Sequence, residues 1–310
     1  MRLLTRSDFD GLGCAVLLKE AGLLNEIKFV HPKDVQDGKV QVTAEDILAN
    51  VPYVKGCGLW FDHHSSEEER AHGAFEGVSD PSAPSATRVV YDYLGGAERF
   101  ANAHIATLVA AIDKADSADL TVDEVLRPQG WVLISFIMDP RTGLGRYKDY
   151  RIGNYQLMMD MIDYCRAMTA EQILEIEDVK ERSRRYFEQD KRFREMIRSS
   201  AAVHGDAVVL DLRNQEEIYT GNRFLLYSLY PAQNISLQII WGLRKQNVVI
   251  TCGHSIINRT SQVDVGSLML RYGGGGHRKV GTCQVPAEEA DRAVAELVQE
   301  INAPAPAPVS

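Results

Sequence analysis

Short apolar runs bounded by polar clusters alternate with helical stretches at the start of the chain. Residues 2–5 read as a short buried strand, Asp8-Phe9-Asp10-Gly11 as a loop, and residues 12–21 as a helix stopped by Gly22. Residues 27–30 read as a second strand. This strand–helix–strand rhythm predicts a parallel sheet with helices on its faces. Residues 58–61 read as another buried strand that runs straight into Asp62-His63-His64. Both polar clusters therefore fall just past the carboxyl end of a strand, the edge at which open α/β sheets bind ligands.

Helices are predicted over 85–94, entered through Pro81 and Pro84, and over 99–115. The second delivers Asp113 and Asp116 at its C-terminal end, where carboxylates oppose the helix dipole; that cost suggests another interaction, although exposed acids at helix ends are common. A further helix is predicted over 154–168, and the charge-rich stretch 171–200 reads as a solvated connecting helix. Beyond it the rhythm changes. Residues 207–210 read as a strand, 235–243 and 247–252 as a hairpin turning at 244–246, 265–272 as a short helix or turn, 280–285 as strand-like, and 288–301 as a final helix. The expected fold class is α/β: a parallel-sheet N-terminal domain (1–170), a helical linker (171–200) and a smaller α+β C-terminal domain (201–302). The Ala/Pro-rich tail 303–310 is expected to be disordered, and no internal repeat is visible.

Composition narrows the function classes. With 310 residues, 45% hydrophobic and 25% charged, the chain has the make-up of a soluble protein of two domains. No apolar run reaches the roughly 18 residues that span a bilayer, so no membrane partner is expected. The first residues, short and soon carrying two aspartates, are not expected to form a signal peptide. Five scattered cysteines, odd in number and without a Cys-x-x-Cys pair, argue against a disulfide framework or structural zinc and for a reducing cytoplasm. The net charge of −9 argues against tight binding to long nucleic acid but leaves a small phosphorylated ligand open.

Three clusters carry chemistry. In Asp62-His63-His64, carboxylate and imidazole together suit a divalent transition metal; one histidine can ligate while the other hydrogen-bonds a phosphate or the metal's surroundings. A polar loop cluster is the alternative. Asp8 and Asp10, two apart at a strand-to-helix turn, can each reach one of two nearby cations, or can be helix caps. The run Gly273-Gly274-Gly275-Gly276-His277-Arg278-Lys279 suits a loop whose amides converge on an anion, against the alternative of a flexible linker. Arg259, just upstream, is a candidate second phosphate contact.

Taken in order, Asp8-Phe9-Asp10-Gly11, Asp62-His63-His64, an aspartate near a helix end and Gly274-Gly275-Gly276-His277 resemble the DHH phosphoesterase family across nearly the whole chain. That family pairs a metal-binding DHH domain with a DHH-associated substrate domain. The resemblance implies two divalent cations, manganese or magnesium. It implies Asp8, Asp10, Asp62 and His63 as ligands, and His64 in contact with phosphate or the metal surroundings. It also implies a further aspartate between the first two clusters, for which Asp46 is chosen over Asp34 and Asp37, and one at the helix end, for which Asp113 is chosen over Asp116. Many members carry a histidine just before the paired aspartates. Here Thr5-Arg6-Ser7 stands there, and Arg6, always protonated, cannot ligate a metal but can hold a substrate phosphate.

The implied reaction is two-metal hydrolysis, with Asp62 and His64 as catalytic residues and with Arg6, Arg259, Gly274, Gly275, Gly276 and His277 binding substrate. Relatives of this kind act on very short RNAs, cyclic dinucleotides, phosphoadenosine phosphate, or polyphosphate and pyrophosphate. Short oligonucleotides or dinucleotides are the favoured substrates. Polyphosphate is the runner-up, and non-catalytic sensing of a phosphorylated ligand is a third reading. Tyr219, Phe224, Tyr227, Tyr230 and Tyr272 are the aromatic candidates for stacking on a base. Monomer and homodimer are both compatible with the sequence.

Overall fold

A computed structural model describes residues 1–64 and 75–303. Most of the expected tail, 304–310, lies outside the described residues. The chain divides into two compact units. The first comprises Met1–Leu120 and Arg127–Phe187, the second Thr121–Leu126 and Glu188–Ser310, so the division falls inside the long charged helix.

The first unit holds a five-stranded sheet of order β2-β1-β3-β4-β5, with β1 Arg2–Arg6, β2 Glu26–Val30, β3 Asp46–Ala49, β4 Leu59–Asp62 and β5 Gly77–Ser79, every pairing parallel. Alternation along the strands divides their side chains between two faces. Leu4, Leu48 and Trp60 join Val35 and Val51 in one buried cluster. On the opposite face, the Phe61 ring packs 4.9 Å from that of Tyr93, in the helix over residues 86–93. The first crossover goes from β1 to β2 on one side, and the chain then returns to β3 on the other side of β1. The order therefore reverses between β1 and β3, and the crevice at their carboxyl ends is the topological switch point.

Among the described residues up to Ser200, the helices are α1 (Phe9–Glu20), α2 (Pro32–Gln36), α3 (Ala86–Tyr93), α4 (Gly96–Arg99), α5 (Ala103–Asp116), α6 (Val122–Leu126), α7 (Gly130–Met138), α8 (Asn154–Ala167), α9 (Ala170–Leu174) and α10 (Glu177–Ser200). α1 is buried from Phe9 through Leu18, as its apolar composition on all sides requires. Gly13 allows its close approach to α3 and α5. A Cβ there would lie 2.3 Å from Ile112 Cδ1 and 2.4 Å from Thr87 Oγ1. The expected loop at Asp8-Phe9-Asp10-Gly11 is shorter than the sequence suggests. Asp8 is the N-cap and residues 9–11 form the first helical turn. Among the described residues, no helix is long and apolar enough to cross a membrane.

The second unit holds α11 (Leu225–Leu229), α12 (Val265–Leu270), α13 (Ala290–Ile301) and a six-stranded sheet of order β10-β11-β9-β8-β7-β6. Its strands are β6 Ala201–His204, β7 Ala207–Asp211, β8 Ile235–Trp241, β9 Val248–His254, β10 Gly275–His277 and β11 Val280–Val285; only β7 and β8 pair in parallel. Val209, Leu237, Ile250, Cys252, Met269 and Leu297 contribute to a single core. α6 belongs here because Asn222 Nδ2 and an Arg194 terminal nitrogen donate to the carbonyls of Val125 and Leu126 at 3.2 and 2.8 Å.

Candidate metal centre

The carboxyl ends of β1, β3 and β4 deliver a cluster of acids and imidazoles. Asp8, the cap of α1, is buried. Its Oδ1 accepts from Gly11 N (2.9 Å) and Asn50 Nδ2 (3.1 Å), and its Oδ2 lies 2.8 Å from Arg6 Nε. Burial raises its pKa, against the pull of Arg6. Asp10 is 1% exposed and sits on the N-terminus of α3, accepting from Ala86 N (3.0 Å) and Thr87 N (2.8 Å). Helix amides left without intrahelical partners favour a carboxylate there. Burial and the Asp116 carboxylate nevertheless push Asp10 up to about 7.

Asp62 ends β4 fully buried. Its Oδ1 is fully engaged, accepting from His63 N (2.7 Å), His64 N (3.3 Å) and His64 Nδ1 (2.7 Å). Its Oδ2 is buried without a hydrogen-bond partner. His63 Nδ1 donates to Ala83 O at 3.3 Å, which leaves Nε2 facing Asp116 Oδ2 at 3.2 Å and Asp10 Oδ2 at 3.8 Å. That nitrogen too is buried and makes no aligned hydrogen bond. Burial lowers the His63 pKa, but Asp116, Asp10 and Asp62 outweigh it and raise it to about 9. The acid–imidazole sets Asp62–His63–His64 and Asp10–His63–Asp116 each bring one donor atom per residue within 4.8 Å of one another.

This donor set fits a divalent cation. An orphaned carboxylate oxygen and an imidazole nitrogen without an aligned hydrogen bond, both buried and the nitrogen beside two further carboxylates, carry a cost that a cation shared among them would remove. Ala83 O orients the His63 ring, and the α3 amides orient the Asp10 carboxylate.

Two residues chosen from sequence are not brought to this cluster. Asp46 lies at the amino end of β3, the wrong end of a parallel sheet. There it takes a two-pronged bond from Arg2 (2.7 and 2.9 Å) and accepts from Thr43 N at 2.7 Å. Asn50, just past the carboxyl end of β3 and bonded to Asp8, occupies the position Asp46 was expected to fill. Asp113 is spent on structure: Oδ1 accepts from Ser85 Oγ at 2.7 Å and Oδ2 from Arg88 Nε at 2.9 Å, bracing the start of α3. Asp116, one turn on, is the residue that reaches His63.

Arg141 was not anticipated from sequence. Its Nε binds Asp139 at 2.8 Å, and its charge helps to hold down the carboxyls of Asp8 and Asp116. No motif marks it; only its place after α7 does.

In the second unit, Gly275, Gly276 and His277 form β10, paired across a tight turn at Arg278-Lys279 with Thr282, Gly281 and Val280. Gly274 and Gly276 are required by this packing, whereas a Cβ on Gly275 would meet nothing within 4 Å. A Cβ on Gly274 would meet Thr282 O at 2.2 Å, and one on Gly276, at φ 155°, would meet Val280 O at 2.3 Å. Arg259 Nε donates to Ile256 O at 2.9 Å in the loop after β9. Of the aromatic candidates, Phe224 and Tyr227 are core, and the Tyr272 hydroxyl is bonded to Glu296.

No family model and no curated protein matched the chain. Among solved structures, the chain is similar to a pGpG-specific phosphodiesterase, PggH from Vibrio cholerae, with 49% identity and a TM-score of 0.84, covering 97% of this chain and 98% of that one. RecJ from Thermus thermophilus in complex with Mn2+ shares the fold at 14% identity and a TM-score of 0.57, with 98% of this chain matching 52% of RecJ. The DHH domain of PF0399, a member of the s1p family of ribosomal proteins, does so at 11% identity and a TM-score of 0.59, covering 97% and 86% of the two chains.

Proposed function

The chain belongs to the DHH family of phosphoesterases, and from that premise we propose that it is a cation-dependent phosphodiesterase that hydrolyses linear dinucleotides bearing a 5′-phosphate, of which pGpG is the model. The observation that carries the cation dependence is the pair of buried ligand atoms without an aligned hydrogen bond, Asp62 Oδ2 and His63 Nε2, the latter facing Asp10 and Asp116. The extensive identity to a pGpG-specific enzyme supports the choice of substrate.

Asp10, Asp62, His63 and Asp116 would hold the cation. When bound, manganese or magnesium supplies positive charge that makes water a stronger acid and offsets charge building on the phosphoryl group. The chain's own residues do the rest. Asp62 accepts from His64 Nδ1 and so fixes the ring, which makes Nε2 the nitrogen through which His64 exchanges a proton or contacts a phosphoryl oxygen. Arg6 and Arg141 add fixed positive charge, which draws an anionic substrate to an otherwise acidic cluster. In the second unit, Arg259 and the Gly274–His277 backbone supply donors suited to a terminal phosphate.

Purified protein and Asp62→Ala, each with Mn2+, are assayed on pGpG, cyclic dinucleotides, short RNAs, phosphoadenosine phosphate and polyphosphate. Conversion of pGpG to GMP that disappears in Asp62→Ala supports the reading. Preferred turnover of polyphosphate would replace it with the phosphatase alternative. Tight pGpG binding without hydrolysis under any divalent ion would replace it with a sensor.

A further inference from the structure

The two halves of the acidic cluster are built differently. Around His63 two donor sets meet, Asp62–His63–His64 and Asp10–His63–Asp116, and two of their atoms, Asp62 Oδ2 and His63 Nε2, are buried without an aligned hydrogen bond. Asp8 is different. Its two oxygens already accept from three donors: the Gly11 amide, the Asn50 side-chain amide and the Arg6 guanidinium. A carboxylate has about four acceptor positions, so Asp8 keeps little capacity for a metal ion. Both neighbours that could have been ligands are donors instead. Asn50 turns its Nδ2 to Asp8, and Arg6 is always protonated. Charge points the same way. A guanidinium 2.8 Å from Asp8, with Arg141 acting on the same carboxyl, already neutralises that side.

We propose that this chain binds one divalent cation, held by Asp10, Asp62, His63 and Asp116, and that Arg6, seated on Asp8 with Asn50, takes the place of a second. The inference rests on the cation reading above and departs from the pair of ions that the family resemblance implies. Arg6 is thus a fixed substitute for a metal charge: it cannot dissociate, and it offers hydrogen-bond donors rather than an open coordination position.

The test is stoichiometry, read without turnover. Metal-stripped full-length protein is titrated with Mn2+ by calorimetry, with parallel elemental analysis after desalting and electron paramagnetic resonance of the loaded protein. The expected result is one ion per chain and the signal of an isolated Mn2+. Two ions per chain, or an exchange-coupled pair, would overturn the inference while leaving the phosphodiesterase reading intact. No ion at all would overturn both.

Asp8→Asn is expected to keep one ion per chain, and Asp116→Asn to lose it. Loss of uptake in Asp8→Asn, with a normal melting curve, would show that Asp8 is a ligand and the inference wrong. The double variant Arg6→His with Asn50→Asp is expected to take up a second ion. A folded double variant that still binds one would remove Arg6 and Asn50 as the cause.

Discussion

Asp113 and Asp116 lie one turn apart on α5, and the structure gives them opposite work, so their removal should have opposite consequences. Asp113→Asn removes a carboxylate that accepts from Ser85 Oγ and from two nitrogens of Arg88. The Asp113 and Arg88 side chains are both mostly buried, at 16% and 29% exposure. Among the described residues, Arg88 retains Asp92, at 3.7 Å, as a carboxylate partner. Loss of a charge-assisted hydrogen bond costs about 1.5–3 kcal/mol, and partial solvent screening of Arg88 places the expected value near the lower end, about 2 kcal/mol. For a unit of this size that is about 4–8 °C in melting temperature. Mn2+ affinity should change only as far as α3 shifts under Asp10, about threefold or less.

Asp116→Asn should do the reverse. Asp116 pairs with His63 but crowds Asp10, so in metal-free protein the two losses oppose one another and the melting temperature should fall less than in Asp113→Asn. Because it supplies a donor to the candidate cation site, Mn2+ affinity should fall by about 100-fold or more; even outer-sphere partners are worth about 10–100-fold. Differential scanning fluorimetry with and without Mn2+, paired with calorimetric titration, reads both quantities on each variant. A stable Asp113→Asn that has lost Mn2+, or an Asp116→Asn that binds Mn2+ normally, would refute the assignment.

Two further outcomes follow from the same geometry. Metal-free protein should lose stability as pH rises from about 5 to 9. Asp10 is raised to about 7, so stability falls as it deprotonates up to that pH, and His63, raised to about 9, contributes stability that is full below its ordinary value near 6.5 and is lost as pH climbs through 9. The His63 contribution is about 3 kcal/mol at most, and the stabilisation by saturating Mn2+ should grow over the same range, because cation ligands must be deprotonated. Melting temperatures that rise with pH in chelator would contradict this. Asp46→Asn should lower stability by about 1–3 kcal/mol through the loss of the Arg2 pair, yet bind Mn2+ as wild type does; a loss of cation affinity would return Asp46 to the site.

Where the chemistry is local, the sequence was enough. Asp8 and Asp10 follow one short apolar strand and Asp62-His63-His64 another, so the strand–helix rhythm alone places them on the carboxyl edge of a parallel sheet. Each such cluster is carried by adjacent residues, and no long-range packing is needed to bring its members together. The parallel sheet, the α/β class and the β8–β9 hairpin were legible for the same reason.

What depends on register or on competition between partners was decided only by the tertiary structure. Asp46 and Asn50 bracket one four-residue strand, and pairing of Arg2 with Asp46 and of Thr5 with Ala49 sends the aspartate to the far end and the asparagine to the site. Asp113 and Asp116 are equivalent by helical spacing; Ser85 and Arg88, distant in sequence, claim the first and leave the second to His63. The glycine run was legible as a place where side chains cannot fit, but whether a ligand or the chain itself demands that space was not, and two of the glycines are required by the β10–β11 hairpin. The sequence by itself thus determined which chemical groups lie on the sheet edge. Tertiary packing determined which of them are left without partners, because hydrogen-bond satisfaction is a property of the folded neighbourhood and not of the chain.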